Sequence, residues 1–229
     1  IKWYNVSLKD NKNGTYTATI DVELKNHNRE SGKYLTHIYA YDNQDTSGFK
    51  AAEVGVPENQ APVISDVKIE NKTSAGYRVS FKAADDGSIS RIVVPTWTEK
   101  NGQDDIIWYT VQKSGDRYYV DVKSKDHNYE SGRYNSHIYV YDDEGKYKVE
   151  VQTVELEENK VEIVDVKTTE PTRKGYTVTA TIKSDLPITK VLMPTWTVRN
   201  GQDDIKWYNV SLKDNKNGTY TATIDVELK

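Results

Sequence analysis

The first 25 residues of this chain, Ile1 to Lys25, recur without change as Ile205 to Lys229. Self-similarity of this kind constrains the fold more than any other feature, because it identifies a chain built from copies of one supersecondary unit. Shorter echoes fix the period. Pro95-Thr96-Trp97-Thr98 returns as Pro194-Thr195-Trp196-Thr197, and Asn101-Gly102-Gln103-Asp104-Asp105-Ile106 as Asn200-Gly201-Gln202-Asp203-Asp204-Ile205, both 99 positions on. His27-Asn28, Glu30-Ser31-Gly32 and His37-Ile38-Tyr39 return 100 positions on, as His127-Asn128, Glu130-Ser131-Gly132 and His137-Ile138-Tyr139. The expected organisation is the C-terminal part of one repeat in 1–60, a complete repeat in 61–160 and the N-terminal part of a further repeat in 161–229. The partial repeats lack strands, so they are expected to expose sheet edges. They would then fray, fold back, or make head-to-tail contacts between chains.

Seven strands are expected in the complete repeat, near 63–70, 76–84, 89–98, 104–113, 117–123, 133–142 and 146–155. Turn signals separate them at Asp86-Gly87, Asn101-Gly102, Ser114-Gly115, Ser131-Gly132 and Glu144-Gly145. Period-2 alternation supports the reading: Tyr77, Val79, Phe81 and Ala83 share one face, Arg78, Ser80 and Lys82 the other. Seven short strands in about 100 residues define an all-β, immunoglobulin-like β-sandwich. Tyr134, opening the sixth strand, stands where such a sandwich places a tyrosine corner. No segment reads as a helix.

Composition narrows the function classes. There is no cysteine, which excludes disulfides, thiolate metal sites and a Cys nucleophile. The net charge of −4 is spread along the chain with no basic stripe, so nucleic acid is not an expected partner. No apolar run approaches the ~20 residues of a membrane span. The chain opens on Ile1 with no leader, so it reads as a piece of a longer protein, and secretion is an inference.

Strand phase locates a candidate binding face. In the sixth strand Ile138 and Val140 share parity with Tyr134 and point inward, sending His137, Tyr139 and Tyr141 outward. In the third, inward Ile92 and Val94 send Arg91, Val93 and Trp97 outward. These two strands are neighbours in an immunoglobulin-like sandwich, so the outward side chains form a flat aromatic platform with Arg91 at its edge. The neighbouring repeats keep Trp196, and His37, Tyr39 and Tyr41, on their versions of it. Such a surface suits sugar rings or a protein partner; packing against loops or a neighbouring repeat is the alternative. Trp108 is expected in the core, with the Tyr109 face partly wet.

No catalytic group stands out. His127 and His137 have serines nearby, but no nucleophile elbow or glycine-rich motif frames them. Asp104-Asp105 and Asp142-Asp143 read as turn chemistry, so neither a metal nor a cofactor is expected.

Pro-Thr-Trp-Thr, Asn-Gly-Gln-Asp-Asp-Ile-x-Trp-Tyr and the later His-Asn, Glu-Ser-Gly-x-Tyr and His-Ile-Tyr-x-Tyr-Asp together resemble the Bsp-like repeat first named from group B streptococci. The resemblance covers nearly the whole chain. It implies tandem modules of streptococcal surface proteins and of peptidoglycan hydrolases or autolysins, where the repeats accompany a separate catalytic domain and are thought to target it to the wall. The implied partner is bacterial cell-wall glycan or peptidoglycan, and the implied location the wall or cell surface. A structural stalk and a host-protein adhesion module are the competing expectations.

Overall fold

The computed structural model describes residues 1–228 and is built from short antiparallel strands. In the leading part of the chain these are β1 (Ser7–Asp10), β2 (Tyr16–Thr19), β3 (Gly32–Tyr41) and β4 (Ser47–Val56). The central part supplies β5 (Val63–Thr73), β6 (Gly76–Ala84), β7 (Ile89–Thr98), β8 (Ile107–Tyr109), β9 (Gln112–Ser114), β10 (Arg117–Lys123), β11 (Gly132–Asp142) and β12 (Tyr147–Leu156). The last part adds β13 (Glu162–Thr168), β14 (Gly175–Lys183), β15 (Pro194–Thr195), β16 (Lys206–Trp207), β17 (Ser211–Asp214) and β18 (Thr219–Glu227). The only helical elements among the described residues are single 3-10 turns at Leu24–His27 and Ser124–His127.

The central strands form two four-stranded sheets, ordered β5-β6-β10-β9 and β12-β11-β7-β8. Their inward residues are those picked out by alternation: Tyr77, Val79, Phe81, Val120 and Val122 from one sheet, Val94, Tyr134, Ile138 and Val140 from the other, all buried. This is the immunoglobulin-like arrangement, with the expected seven strands at their expected places except for one. The segment 104–113 is not a single strand. It splits into β8, which pairs with β7, and β9, which pairs with β10, so the chain changes sheets at Thr110–Val111.

Polar groups inside the sandwich are tied to one another. Tyr77 Oη lies 2.9 Å from Ser136 Oγ, which lies 2.8 Å from Thr96 Oγ1. The Tyr134 hydroxyl donates to the Glu130 carbonyl at 2.7 Å, making the expected tyrosine corner, and Tyr34 does the same with Glu30. Burial raises the phenol pKa of both Tyr77 and Tyr134, so both stay protonated.

The chain gathers into two compact units. One holds Ile1–Pro62 with Ala84–Ser90 and Tyr141–Tyr147; the other holds Val63–Ala83, Arg91–Val140 and the chain from Lys148 onward. Within the first, β1 pairs β2 and β3 pairs β4 as separate two-stranded sheets. Residues whose equivalents form the central core are open there: Ile38 is 42% exposed, whereas Ile138 is 0% exposed. Within the second unit, the sheet β13-β14-β18-β17 buries Ala180, Ile182 and Ala222 beneath Ile188, Val191, Met193, Val210 and Tyr220.

Candidate functional site

The outer face of β7 and β11 carries the aromatic row. The two strands are neighbours. The Glu99 amide donates to the Arg133 carbonyl at one end, and the Ser90 hydroxyl donates to the Asp142 carbonyl at the other. Trp97 packs edge-on against His137 with ring centres 4.6 Å apart, and His137 lies 6.3 Å from Tyr139 at an interplanar angle of 40°. Tyr141 stacks instead with Tyr147 of β12, at 5.3 Å and 34°. Trp97, His137, Tyr139 and Tyr141 are all half-buried, each with one face in the sheet surface, while Arg91 is exposed near the start of β7. The structure thus joins Trp97, His137 and Tyr139 into one row and places Arg91 six residues from Trp97 along β7, about 20 Å at strand rise. Burial lowers the His137 pKa, favouring the neutral imidazole.

One member of this face departs from the sequence expectation. Trp108 is 58% exposed and stands opposite Pro95 in the β7–β8 register. Directly opposed residues point to the same side of a sheet, and Pro95 shares parity with Trp97, so Trp108 extends the outer face. The expectation of a core Trp108 is therefore corrected. Tyr109, opposite Val94, turns inward, and its hydroxyl lies 2.9 Å from His127 Nε2. The change of sheet after Tyr109 lets this strand end send a tyrosine into the core and a tryptophan to solvent.

The other two copies keep the chemistry with different members. In the third, Trp196 and Leu192 are exposed, and Trp207 stands opposite Pro194 as Trp108 does opposite Pro95. The ammonium of Lys206 lies over the Tyr208 ring at 4.8 Å. In the first, Tyr39 pairs directly with Phe49 of β4, ring centres 5.0 Å apart, and His37 lies edge-on to Phe49 at 5.1 Å. Tyr41 continues that row and is exposed.

His127 has a different part. It is fully buried at the end of its 3-10 turn, with Nδ1 3.0 Å from Asp105 Oδ2 and Nε2 2.9 Å from the Tyr109 hydroxyl. Asp105 also accepts the Thr98 amide at 3.0 Å. An imidazole enclosed on all sides meets no substrate; it braces the loop between β10 and β11. Its counterpart His27 makes a 2.6 Å contact with Tyr4 Oη, and Asp204 accepts the Thr197 amide at 2.9 Å, so the first and third copies each keep one contact of the brace. Asp142 likewise serves a turn, accepting the amides of Glu144 and Lys146. Burial pushes its carboxyl up, but the Asn59 amide and these backbone N–H groups outweigh that and leave it below the usual carboxylate range. Among the described residues no group of three or more His, Cys, Asp or Glu could hold a metal ion, and no helix is long and apolar enough to cross a membrane.

No curated protein matches this chain. Among solved structures it is similar to a tetra-tandem repeat in the extending region of a large adhesion protein, at 13% identity over 86% of this chain and 46% of that one, with a TM-score of 0.39. It is also similar to the extracellular cadherin domains 1–4 of Protocadherin Gamma B7, at 12% identity over 100% of this chain and 57% of that one, with a TM-score of 0.25. For the extracellular cadherin domains 1–5 of Protocadherin Gamma B2 the figures are 14% identity, 100% and 45% coverage, and a TM-score of 0.27. The chain spans about half the length of each of these. The GBS Bsp-like repeat family matches at residues 66–155 and again at 165–228. Those two stretches hold the Trp97 and Trp196 faces and most of the recurring motifs, and the chain belongs to the GBS Bsp-like repeat family.

Proposed function

We propose that this chain is a non-catalytic array of surface-protein repeats whose outer aromatic faces bind bacterial cell-wall glycan and hold an attached surface protein or peptidoglycan hydrolase at the wall. One observation carries the reading: Trp97, His137 and Tyr139 form a continuous aromatic row on a sheet surface, and exposed aromatic side chains recur in the other copies, Tyr39 and Tyr41 in the first and Trp196 and Trp207 in the third. A sugar ring offers C–H bonds on its faces and hydroxyls at its rim. Partly exposed aromatic rings supply the apolar contact, and His137, Arg91 and the tyrosine hydroxyls supply the hydrogen bonds. The neutral form favoured for His137 suits such a role, since a neutral imidazole can both donate and accept. An open, shallow face of this kind implies weak contact per repeat, which tandem linkage offsets.

Co-sedimentation of the 229-residue chain with isolated Gram-positive cell walls tests this. The companion is a variant with Trp97→Ala, Trp108→Ala and Tyr139→Ala in the central copy and the matching changes Trp196→Ala, Trp207→Ala, Trp3→Ala and Tyr39→Ala in the others. Circular dichroism establishes that the variant stays folded. The expected result is wall binding by the parent, competed by soluble wall fragments and lost in the variant. Equal binding by both would remove the aromatic face from the proposal. No binding by the parent would leave the array as a spacer.

A further inference from the structure

The linkers that follow the first two copies carry an asparagine at the same place, Asn59 in Glu58-Asn59-Gln60 and Asn159 in Glu158-Asn159-Lys160. Polar connections of this kind, free of apolar anchors, ordinarily leave neighbouring domains mobile. Inside the second compact unit the linker is instead built into its surroundings. Asn159 is half-buried, and its Oδ1 accepts the backbone amides of Asp185 and Leu186 at 3.2 and 3.3 Å. Its Nδ2 donates to Ser184 Oγ at 3.2 Å. Two backbone donors on one oxygen fix the orientation of the amide.

The residues held in this way, 184–186, follow β14. A second set of bonds joins the same loop to the preceding sandwich. Asp185 Oδ2 accepts both the backbone amide of Ser74 at 3.0 Å and its hydroxyl at 2.9 Å. Ser74 lies in the turn between β5 and β6, 111 residues earlier in the chain. Its Oγ is also 3.1 Å from Asn159 Oδ1. One hydroxyl proton cannot serve both acceptors, and the charged carboxylate is the stronger of the two, so Asp185 takes the proton.

We propose that the β5–β6 turn and the linker asparagine form an interaction surface whose partner is the 184–186 loop of the next repeat, so that successive repeats are coupled through a built polar junction. The first linker carries related features within its own compact unit. Asn59 Nδ2 donates to Asp142 at 2.8 Å, the Asn59 carbonyl accepts the Lys146 ammonium at 2.6 Å, and the Gln60 amide donates to Asp86, the residue 99 positions before Asp185. Coupling between neighbours is what makes an array of repeats behave as a one-dimensional cooperative system. The junction stands whether or not the aromatic faces bind glycan.

Hydrogen exchange at single amides in the full 229-residue chain tests the junction. The Ser74 N–H is bonded to a carboxylate in the following repeat, so Asp185→Ala is expected to speed Ser74 exchange at least tenfold. The amide of Val120, in the middle of β10, serves as the internal reference and should not change. Asp185 is exposed, so its replacement leaves the folded core in place. Asn159→Ala is expected to speed exchange at Asp185 and Leu186 by a similar factor. If Ser74 already exchanges at the rate of an unstructured peptide in the parent, or if Asp185→Ala leaves it unchanged, the junction does not form in solution and the linker is a free hinge.

Discussion

At the scale of single residues, the Asp105 carboxylate is tightly constrained. It accepts the His127 Nδ1–H and the Thr98 amide in a site where its own side chain is 3% exposed. Removing it strands two donors, one of them on a fully enclosed imidazole. An unsatisfied buried donor costs about 1–3 kcal/mol, so Asp105→Ala is expected to lower stability by roughly 2–4 kcal/mol. The neighbouring Asp104 is exposed, and Asp104→Ala is the matched control, expected within about 0.5 kcal/mol of the parent. Urea unfolding of the two variants decides the matter: equal midpoints would mean that the brace contributes nothing. The sequence shows the ingredients of this site, since Asp105, Tyr109 and His127 all sit in repeated motifs. It does not show that they meet. They are separated by 22 residues at the widest, and it is the pairing of Tyr109 with Val94 across β7 and β8 that turns the phenol inward, toward the 3-10 turn.

At the scale of elements, the strand pair β6–β10 depends on a position that no side chain can share. Gly76 opens β6 at φ 144, opposite Lys123, and a Cβ there would lie 2.0 Å from the Val122 carbonyl oxygen. Gly175 repeats this at φ 146, with a Cβ 1.9 Å from the Val226 oxygen. Backbone cannot yield as a flexible side chain can, and the φ itself is strained for any L-residue. Gly76→Ala is therefore expected to cost about 3 kcal/mol or more, whereas Gly102→Ala, with open space around it, should cost less because only its φ is strained. Thermal unfolding of both variants gives the comparison, and equal losses would place the cost in φ alone.

Most elements were legible in the sequence because half-buried strands alternate with period 2: β5, β6, β7, β10, β11 and β12 fall within three residues of their expected bounds. The exception is instructive. Over 104–113 the pattern offers two apolar sets, Ile106 with Trp108 and Tyr109 with Val111, and alternation alone cannot say which faces inward. A chain that leaves one sheet and joins the other after a few residues resolves the ambiguity by topology, so Trp108 belongs to the outer face although the sequence pattern favours the core. The rest of that face was legible because β7 and β11 are long and each carries unambiguous core residues that set its phase.

At the scale of the whole molecule, the three aromatic faces are related copies with unequal membership. The central copy offers Trp97, His137, Tyr139 and Trp108, the third Trp196 and Trp207, and the first Tyr39, Tyr41 and Phe49. If each is one weak site on a common polymer, occupation of one raises the effective concentration of the others. Linked weak sites gain ~10²–10⁴ in overall affinity without any new contact. That gain requires a polymer long enough to reach more than one face. Replacing the Trp97, Trp108 and Tyr139 rings by alanine should therefore weaken binding to intact wall by at least about tenfold. Adding the changes in the third copy should weaken it further by a comparable factor. A short soluble wall fragment can engage one face at a time, so its affinity should fall only by the loss of one independent site among three. Titration of both ligands against both variants, by sedimentation for the wall and calorimetry for the fragment, separates the two regimes. If the losses on intact wall match those on the fragment, the faces act singly, and the repetition of the fold serves length and spacing instead of avidity.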